Sequence, residues 1–452
     1  MTSRSNRTLG ALLTLSAVAV SGVASAGGFY IQEQSAAGVG RAQAGNVAAA
    51  DDASTIYFNP AGLTELDGLQ VAGGIDLIVP DAGLTDTGSL NRSTGAFLAN
   101  PASGGRVAAS GSNGGNPGSA TAIPDFYVSY HLPDSQFTFG LGLSSPFGFA
   151  SKFAQDSFAR YDSIDSFIET VDIAPTIAWK ANDWLSVGVG LDEQYTYVKL
   201  RQALPNPLTI GGPVPSTDGR LTLTGHTWST GFNFGILLKP MEGTKIGFSY
   251  RYGITHNVDK GSVTFSGLTG PLAARNGNVG ATAALNLPDI VQVGISQKVT
   301  PELTLLAEGD YYSWSNFQQI KVHLLDNSGD LITPENYRDT YSLAVGGEYQ
   351  LTDTLKLRAG VKFDTTPTTD AFRDTRVPDG DRFWLASGFH YQFTDQIGID
   401  GSYAHIFVED NNLSIDRPFY QTAPFPVPTN SSIRAQSHVS LDILTVGFTY
   451  RF

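Results

Sequence analysis

The chain has 452 residues, no cysteine, and 42 acidic against 28 basic residues for a net charge of −14. Disulfides and thiolate chemistry are excluded, and with no basic run to follow a phosphate backbone no nucleic-acid partner is expected. The length would allow two or three soluble domains, but nothing reads as an inter-domain linker, and 50 glycines with 11% aromatics suit a protein of many strands.

Residues 1–26 read as a secretory signal peptide. Arg4 and Arg7 form the basic region, Leu9 to Val20 the apolar region, and Ala24-Ser25-Ala26 the cleavage site, so the mature chain is expected to begin at Gly27. The apolar region is short and broken by Thr14 and Ser16, which argues against a membrane span. No later stretch approaches about eighteen uninterrupted apolar residues, so helical spans are not expected.

Residues 27–67 fit neither a clean helix nor an alternating strand. Small residues fill the stretch: Ala36, Ala37, Gly38, Gly40, Ala42, Ala44, Gly45 and Ala48 to Ala50. Such a segment packs tightly inside something else but has few large side chains for a core of its own. It is expected to be a plug, with Phe29 and Tyr30 at its start.

From 68 to 452 the pattern is about ten residues of alternation, a short turn, about ten more, then a long polar loop. It reads as fourteen strands in seven hairpins. The short turns are Pro133-Asp134-Ser135, Asn182-Asp183, Pro240 to Thr244, Thr300-Pro301, Thr352-Asp353 and Thr394-Asp395. Long connections are expected near 80–122, 146–168, 202–219, 259–287, 324–338, 367–380 and 411–434. Outer-membrane barrels have short periplasmic turns and long extracellular loops, and an even strand count places both barrel ends in the periplasm.

Single strands do not decide the matter, because a soluble amphipathic strand also alternates. In 355–363, Leu355, Leu357, Ala359, Val361 and Phe363 share one face and Lys356, Arg358, Gly360 and Lys362 the other. Repetition decides it. In 383–393, Phe383, Leu385, Phe389, Tyr391 and Phe393 lie opposite Trp384, Gly388 and His390, and the chain ends on Val446, Phe448, Tyr450 and Phe452 along one face. The fold class is all-β: a transmembrane antiparallel β-barrel of about fourteen strands, its lumen plugged by an N-terminal hatch.

Three stretches carry a family resemblance. The hatch contains GxGRAxxG from Gly38 to Gly45, then Asp51-Asp52 and Asn59-Pro60-Ala61. Tyr312 to Lys321 reads YSWSNFQQIK, and Pro378 to Phe393 reads PDGDRFWLASGFHYQF. With the terminal phenylalanine, the mature chain resembles the FadL/TodX (OmpP1) family of outer-membrane transporters for hydrophobic compounds; the first long loop, 80–122, matches least. The resemblance implies an extracellular apolar groove, a pocket contacting the hatch N-terminus at Phe29 and Tyr30, gating by the hatch with Asn59, Pro60 and Ala61, and lateral exit through a kinked third strand. That strand is Gln136 to Ser145, followed by Ser145, Pro146, Phe147 and Gly148. Pro146 lacks an N–H and Gly148 tolerates a bend, so a gap has a physical cause there. The plainer alternative is that Pro146 only ends the strand.

An eight-stranded barrel is filled by its own side chains, whereas one of sixteen or more leaves a channel. Fourteen strands would leak without a plug. Burying a methylene contributes roughly 0.8 kcal/mol, so a sixteen-carbon chain gains on the order of 12 kcal/mol on entering lipid. Uptake is downhill, and no Walker-type phosphate loop argues for a driven process.

After Pro146, Phe149, Phe153, Phe158, Tyr161, Ile164 and Ile168 recur at spacings of three to five, which predicts an amphipathic helix. Its stripe, with Phe153 and Phe158, either lines a collection groove or seals the helix onto the barrel. Lys356, Arg358, Lys362 and Arg382 point inward by alternation, as do Glu308, Asp310 and Glu348. The plain account is a lumenal ion-pair network; the sharper one makes Arg382 the receiver of a fatty-acid carboxylate, walled by Trp314 and Trp384. The seven histidines are scattered without metal or catalytic spacing, so neither enzyme activity nor a cofactor or metal is expected. Expected partners are a hydrophobic ligand, outer-membrane lipid and lipopolysaccharide, and the barrel assembly machinery through Phe452, for a monomeric protein in the outer membrane. Long-chain fatty acids lead as substrate; monoaromatic hydrocarbons, or a porin or adhesin role, are the alternatives.

Overall fold

The computed structural model describes residues 28–421 and 424–452; the expected signal peptide lies outside the described residues. The wall is built from β1 (Leu69–Asp86), β2 (Thr121–His131), β3 (Phe137–Ser144), β4 (Asp165–Lys180), β5 (Leu185–Leu204), β6 (Gly219–Met241) and β7 (Thr244–Arg251). It continues with β8 (Ile290–Lys298), β9 (Leu303–Tyr312), β10 (Thr340–Gln350), β11 (Leu355–Asp364), β12 (Arg382–Gln392), β13 (Ile397–Val408) and β14 (Thr429–Arg451). Each pairs antiparallel with the next, and β14 pairs with β1 from Arg451 opposite Gln70 to Ala435 opposite Asp86. Closure removes sheet edges within the hydrocarbon, the condition lipid imposes on a β structure, except where Thr121–Asp125 of β2 run past the end of β3.

The alternation sorts as expected. Val446, Leu444 and Phe448 of β14 are exposed outward, while Thr445, Ile443 and Leu441 are buried inward. At the short-turn end, Trp179, Trp184, Tyr391 and Phe393 are exposed, as suits an aromatic girdle. Short turns and long connections fall where the alternation breaks. At 23 residues, β6 and β14 are about twice as long as the 9–11 that span a membrane, so their outer ends rise into the extracellular space. Extra strands extend that part: a hairpin of Thr255–Ser266 with Gly277–Asn286, another of Gln319–Leu324 with Asp330–Pro334, and Asn411–Tyr420 alongside β14.

One local expectation fails. The aromatic stripe after Pro146 forms no helix. Gly148–Lys152 is a short strand paired to Asp165–Glu169 of β4, and tight turns from Ala154 to Asp162 follow. Pairing with a neighbouring strand satisfies the backbone there and overrides a periodicity that was only local.

Residues 28–66 lie inside the ring. Short helices Ala36–Gly40, Asn46–Ala49 and Thr55–Phe58 lead to a 3₁₀ turn, Pro60–Glu65. Asn59 is completely buried and holds the last turn: its Oδ1 accepts from Ala61 N at 3.0 Å, and its Nδ2 donates to Val47 O at 2.6 Å and to Ile236 O of β6 at 3.0 Å. Pro60 suits the first position of that turn, where no N–H is needed. The segment fits because the wall is thinned opposite it. A Cβ at Gly247 of β7 would overlap the Val47 carbonyl, and one at Gly360 of β11 the Arg41 carbonyl.

Gly247→Val and Gly360→Val are each expected to expel the inserted segment while leaving the ring closed. Strand content and heat-modifiable gel mobility should persist while residues 28–66 become cleavable by protease; native-like protection in both variants would refute the close fit.

Candidate functional site

The wall is interrupted beside β3. β2 pairs with β3 only from Phe126 opposite Leu143 to His131 opposite Thr138, so Thr121–Asp125 of β2 bond to β1 alone. β3 stops at Ser144, opposite Asp172, and the chain resumes pairing with β4 at Gly148, opposite Glu169. Between them lies one residue more than on the β4 side, the signature of a bulge. The result is a gap between Thr121–Asp125 and 145–152. Its β2 side runs alongside Ile75 and Leu77 of β1, which are exposed in the apolar band.

The inserted segment supplies the missing partners. Ile31 N donates to Pro146 O at 2.8 Å, Gly148 N donates to Phe29 O at 2.9 Å, and Tyr30 forms an antiparallel bridge with Phe147. The Gln34 amide acts as a surrogate peptide: Nε2 donates to Ser145 O at 2.9 Å and Oε1 accepts from Ser145 N at 3.3 Å. Tyr127 of β2 donates its hydroxyl to Gln34 O at 3.1 Å. Ser145, Pro146, Phe147 and Gly148 are thus gathered against the start of the segment, whereas Asn59, Pro60 and Ala61 anchor its far end on β5 and β6.

Beside the bridge lies an aromatic chamber that is filled by its own packed rings. The Phe29 ring is 4.8 Å from Trp314, 5.5 Å from Phe317 and 6.2 Å from Phe147; Tyr30 is 5.2 Å from Phe147 and 5.4 Å from Tyr312. Phe29, Tyr30 and Trp314 therefore meet, whereas Trp384, expected beside Trp314 around Arg382, packs in a separate cluster with Ile31. Phe317, part of the YSWSNFQQIK stretch though not singled out, and Tyr337, which carried no signal, also pack there; they reach the chamber from loops whose path alternation cannot trace. Gln34 was equally illegible.

Arg382 and Trp384 sit two residues apart on the inner face of β12, both almost fully buried. Arg382 Nη2 contacts Asp379, and Nη1 lies 3.7 Å from Asp364. Asp379 also accepts from Gly28 N at 3.2 Å, which ties Arg382 to the start of the segment. Arg382 Nε and Nη1, Trp314 Nε1 and Trp384 Nε1 are buried without a hydrogen-bond partner among the described residues. Buried donors are costly to leave unpaired, so these N–H groups stand ready for an acceptor.

Other lumenal charges anchor the segment. Arg41 pairs with Asp51 at 2.7 Å and Glu348 at 2.5 Å, and Glu348 also holds Arg358 at 2.9 Å and Lys356 at 3.0 Å. Lys362 pairs with Asp310 at 3.1 Å and lies 5.9 Å from the Trp384 ring. Glu65 bridges Lys239 and Lys245.

Phe153 and Phe158 do not join the chamber; both are buried beneath the loops with Leu84, Leu413 and Ile433. The large extracellular cleft is elsewhere, and its lining mixes apolar with charged side chains. A cleft of about 920 Å³ opens between Leu200, Leu221, Phe265, Val279 and Ile320 on one side and Arg417 with Phe419 on the other. Ile320 packs against the cluster containing Phe317 and Phe29, so apolar contact runs from cleft to chamber. Arg417 is held by Asp162 at 2.5 Å. Burial acts to raise the Asp162 carboxyl, but Arg417 and Arg376 outweigh it and hold it at about 2.

The sequence profile of the family described as outer membrane protein transport protein (OMPP1/FadL/TodX) matches residues 17–452. A long-chain fatty acid transport protein of Escherichia coli O6:H1 is 29% identical, over 87% of this chain and 91% of that protein. The crystal structure of a Pseudomonas aeruginosa FadL homologue superposes with a TM-score of 0.80 at 24% identity, covering 93% of this chain and 99% of that one. The toluene transporter TodX of P. putida gives 0.62 at 17%, covering 88% and 94%. At these identities both structures speak for the shared barrel fold.

Glu33, on the inserted segment, is buried, and burial lifts its carboxyl from 4.5 to about 7 against the opposing pull of Arg382 and Lys362. A raised carboxyl favours the docked, protonated state, so docking of the first residues is strongest below pH 4.5 and is lost as the pH rises through about 7. Hydrogen exchange at residues 28–35, corrected for intrinsic rate, should show more protection near about pH 5 than near about pH 8. Glu33→Gln should flatten the difference; equal protection in the parent chain would show that Glu33 does not titrate with docking.

Proposed function

Because the chain belongs to the outer membrane protein transport family (OMPP1/FadL/TodX), we propose a specific route for the passive passage of hydrophobic small molecules that this non-catalytic outer-membrane β-barrel provides. A ligand collects in the extracellular cleft, follows the apolar contact past Phe317, and enters the aromatic chamber beside Phe29 and Trp314. Residues 28–67 act as the hatch. Displacement of the first residues breaks their bridge to 145–148, and the ligand leaves sideways between β2 and β3 into the membrane. The observation that carries this reading is the substitution in the wall: the strand break is closed by the same residues that line the chamber. A ligand that pushes Phe29 and Tyr30 aside therefore also opens the wall.

Long-chain fatty acids are the substrate the reading favours. The relatives named as fatty-acid transporters support it, as do the buried donors of Arg382 that have no hydrogen-bond partner among the described residues and suit a carboxylate. Monoaromatic hydrocarbons are the second candidate, favoured by the aromatic box around Phe29.

Two outcomes test this. Arg382→Ala should weaken competition by palmitate for a fluorescent fatty acid by about tenfold or more, the cost of a lost charge-assisted pair, and leave toluene competition unchanged. An unchanged palmitate curve in a folded variant would remove Arg382 from the site. The chain has no cysteine of its own, so Tyr30→Cys with Phe147→Cys gives a clean cross-link across a bridge whose Cα spacing suits a disulfide. Oxidised cells should take up fatty acid much more slowly than the same cells after reduction; uptake indifferent to the cross-link would exclude release at 145–148.

A further inference from the structure

Beyond β7 the wall is interrupted a second time. β6 pairs with β7 up to Asn233 opposite Arg251, and with the hairpin strand Thr255–Ser266 only from Thr224 opposite Ser262. Between these points residues 225–231 and 253–261 share no registered pair. The hairpin strand is held there from its other side alone, from Thr255 opposite Asn286 to Gly261 opposite Ala281. Side chains close the break instead. On the inner face Val258 lies over Gly225 and Ile254 over Gly231, each so close that a Cβ on the glycine would overlap it. His256, completely buried, reaches past β6 to β5. Its Nδ1 is 3.1 Å from Thr196 Oγ1 and its Nε2 3.3 Å from Gln194 Oε1, on residues that pair with Thr227 and Ser229 of β6.

The break lies at the outer edge of the membrane. Leu238 to Trp228 of β6 is about the 9–11 residues that span a bilayer. Trp228, Phe232 and Tyr252 are exposed there, as suits the interface, and the Trp228 ring is 5.4 Å from Tyr195. Behind the break is an apolar pocket of about 50 Å³, lined by Gly225, Val258, Gly261, Ala281, Phe317 and Ile320. That is room for a short run of one hydrocarbon chain, since a water needs about 10–15 Å³. Phe317 in turn contacts Phe29, so the pocket borders the chamber. An apolar pocket thus sits against the membrane interface, closed off by two aliphatic side chains and one imidazole rather than by a strand ladder.

Resting on the route proposed above, we infer that this break is a second lateral mouth, through which hydrocarbons and single-chain amphiphiles already dissolved in the outer leaflet enter the pocket and join the path to the chamber. The tail enters first, between Gly225 and Val258, as Val258 and Ile254 turn aside. Gly225, Gly261 and Ala281 leave the width that larger side chains would fill. Opening costs side-chain contacts and the bonds of His256, and no ladder has to be broken because none is formed there. A two-chain lipid finds no room in the pocket and stays in the membrane. The cleft receives molecules arriving from water, and the mouth those arriving from lipid.

The test delivers a probe from the bilayer alone. Purified protein is placed in phosphatidylcholine vesicles containing hexadecanol with a diazirine at its chain end, and adducts are mapped by mass spectrometry after irradiation. The peptide with Phe317 and Ile320 should carry the probe. Gly225→Cys with Val258→Cys places two sulfurs across the break in a chain with no other cysteine, the Cβ atoms 3.7 Å apart as a disulfide needs. Oxidation of this variant should abolish the label and reduction restore it. Oxidised Tyr30→Cys with Phe147→Cys, which closes the gap beside β3, should keep it. Val258→Ala widens the break without a cross-link and should raise the label, and it serves if the cysteine pair fails to assemble. A label that is absent from the parent protein, survives the 225–258 cross-link, stays unchanged in Val258→Ala or vanishes with the 30–147 cross-link would overturn the mouth. Palmitate offered from water tests the route separately. It should displace the fluorescent fatty acid from the parent and from the oxidised 225–258 variant alike; no displacement from the parent would refute the route, while the label still decides the mouth.

Discussion

A strand in lipid has no water to pair with, so every N–H and C=O in the wall must find a partner within the protein. β3 breaks this condition at 145–147, where Pro146 removes a donor and the chain swings away from β2. Gln34, Ile31 and Phe29 restore it. The first residues of the inserted segment are therefore part of the barrel wall as well as of its contents. They cannot move without leaving backbone groups of 145–148 unpaired, unless something else covers them. A bound apolar molecule cannot hydrogen-bond, but it excludes water and fills the space of Phe29 and Tyr30. That gives the movement a cost of a few hydrogen bonds rather than of a whole strand.

The charges inside the ring are arranged unevenly about that place. Residues 41–65 are fixed by Arg41 on Glu348, by Arg251 on the Tyr57 carbonyl at 3.0 Å, and by Glu65 between two lysines. Removing one partner from such a buried pair typically costs about 3–5 kcal/mol, because the remaining charge is stranded. Residues 29–34 are held mostly by neutral hydrogen bonds, each contributing about 0.5–1.5 kcal/mol, with one charged bond from Lys362 to the Gln32 side chain. The segment is firmly seated at one end and lightly latched at the other, and the lightly latched end covers the gap. A rearrangement limited to these residues would leave the deeper anchors intact.

Much of this architecture was legible in the sequence because strands write themselves in period two. The six short turns and seven long connections follow from where alternation stops, and the inward set Arg358, Lys362, Arg382 and Trp384 follows from parity alone. Asn59-Pro60-Ala61 was visible as a motif, though its use of Asn59 as both cap and anchor was not. The failures share a cause. Phe149 to Ile168 looked helical because local spacing says nothing about a neighbouring strand that will pair with the segment. Phe153 and Phe158 then went under the loops, while the cleft was built from Leu200, Leu221 and Phe265, whose meeting depends on β5 and β6 outgrowing the membrane. Gln34 is a single amide in a segment without periodicity, and its role exists only through Ser145, more than a hundred positions away.

The placement of acids and bases also bears on why a passive conduit would contain so many charges. A lumen lined only with apolar side chains would bind a fatty acid tail and hold it, since roughly 0.8 kcal/mol per methylene applies inside the protein as well as in the membrane. Release requires the last part of the path to be less hospitable than the lipid beyond it. Polar and charged side chains in the lumen, such as Lys362 with Asp310 and Arg358 with Glu348, interrupt its apolar lining and would limit how tightly a tail is held. The direction of an exchange that needs no energy source is set by its two ends: a hydrocarbon tail is better placed in the membrane than in water, and polar groups along the path only lessen how tightly it would be held on the way.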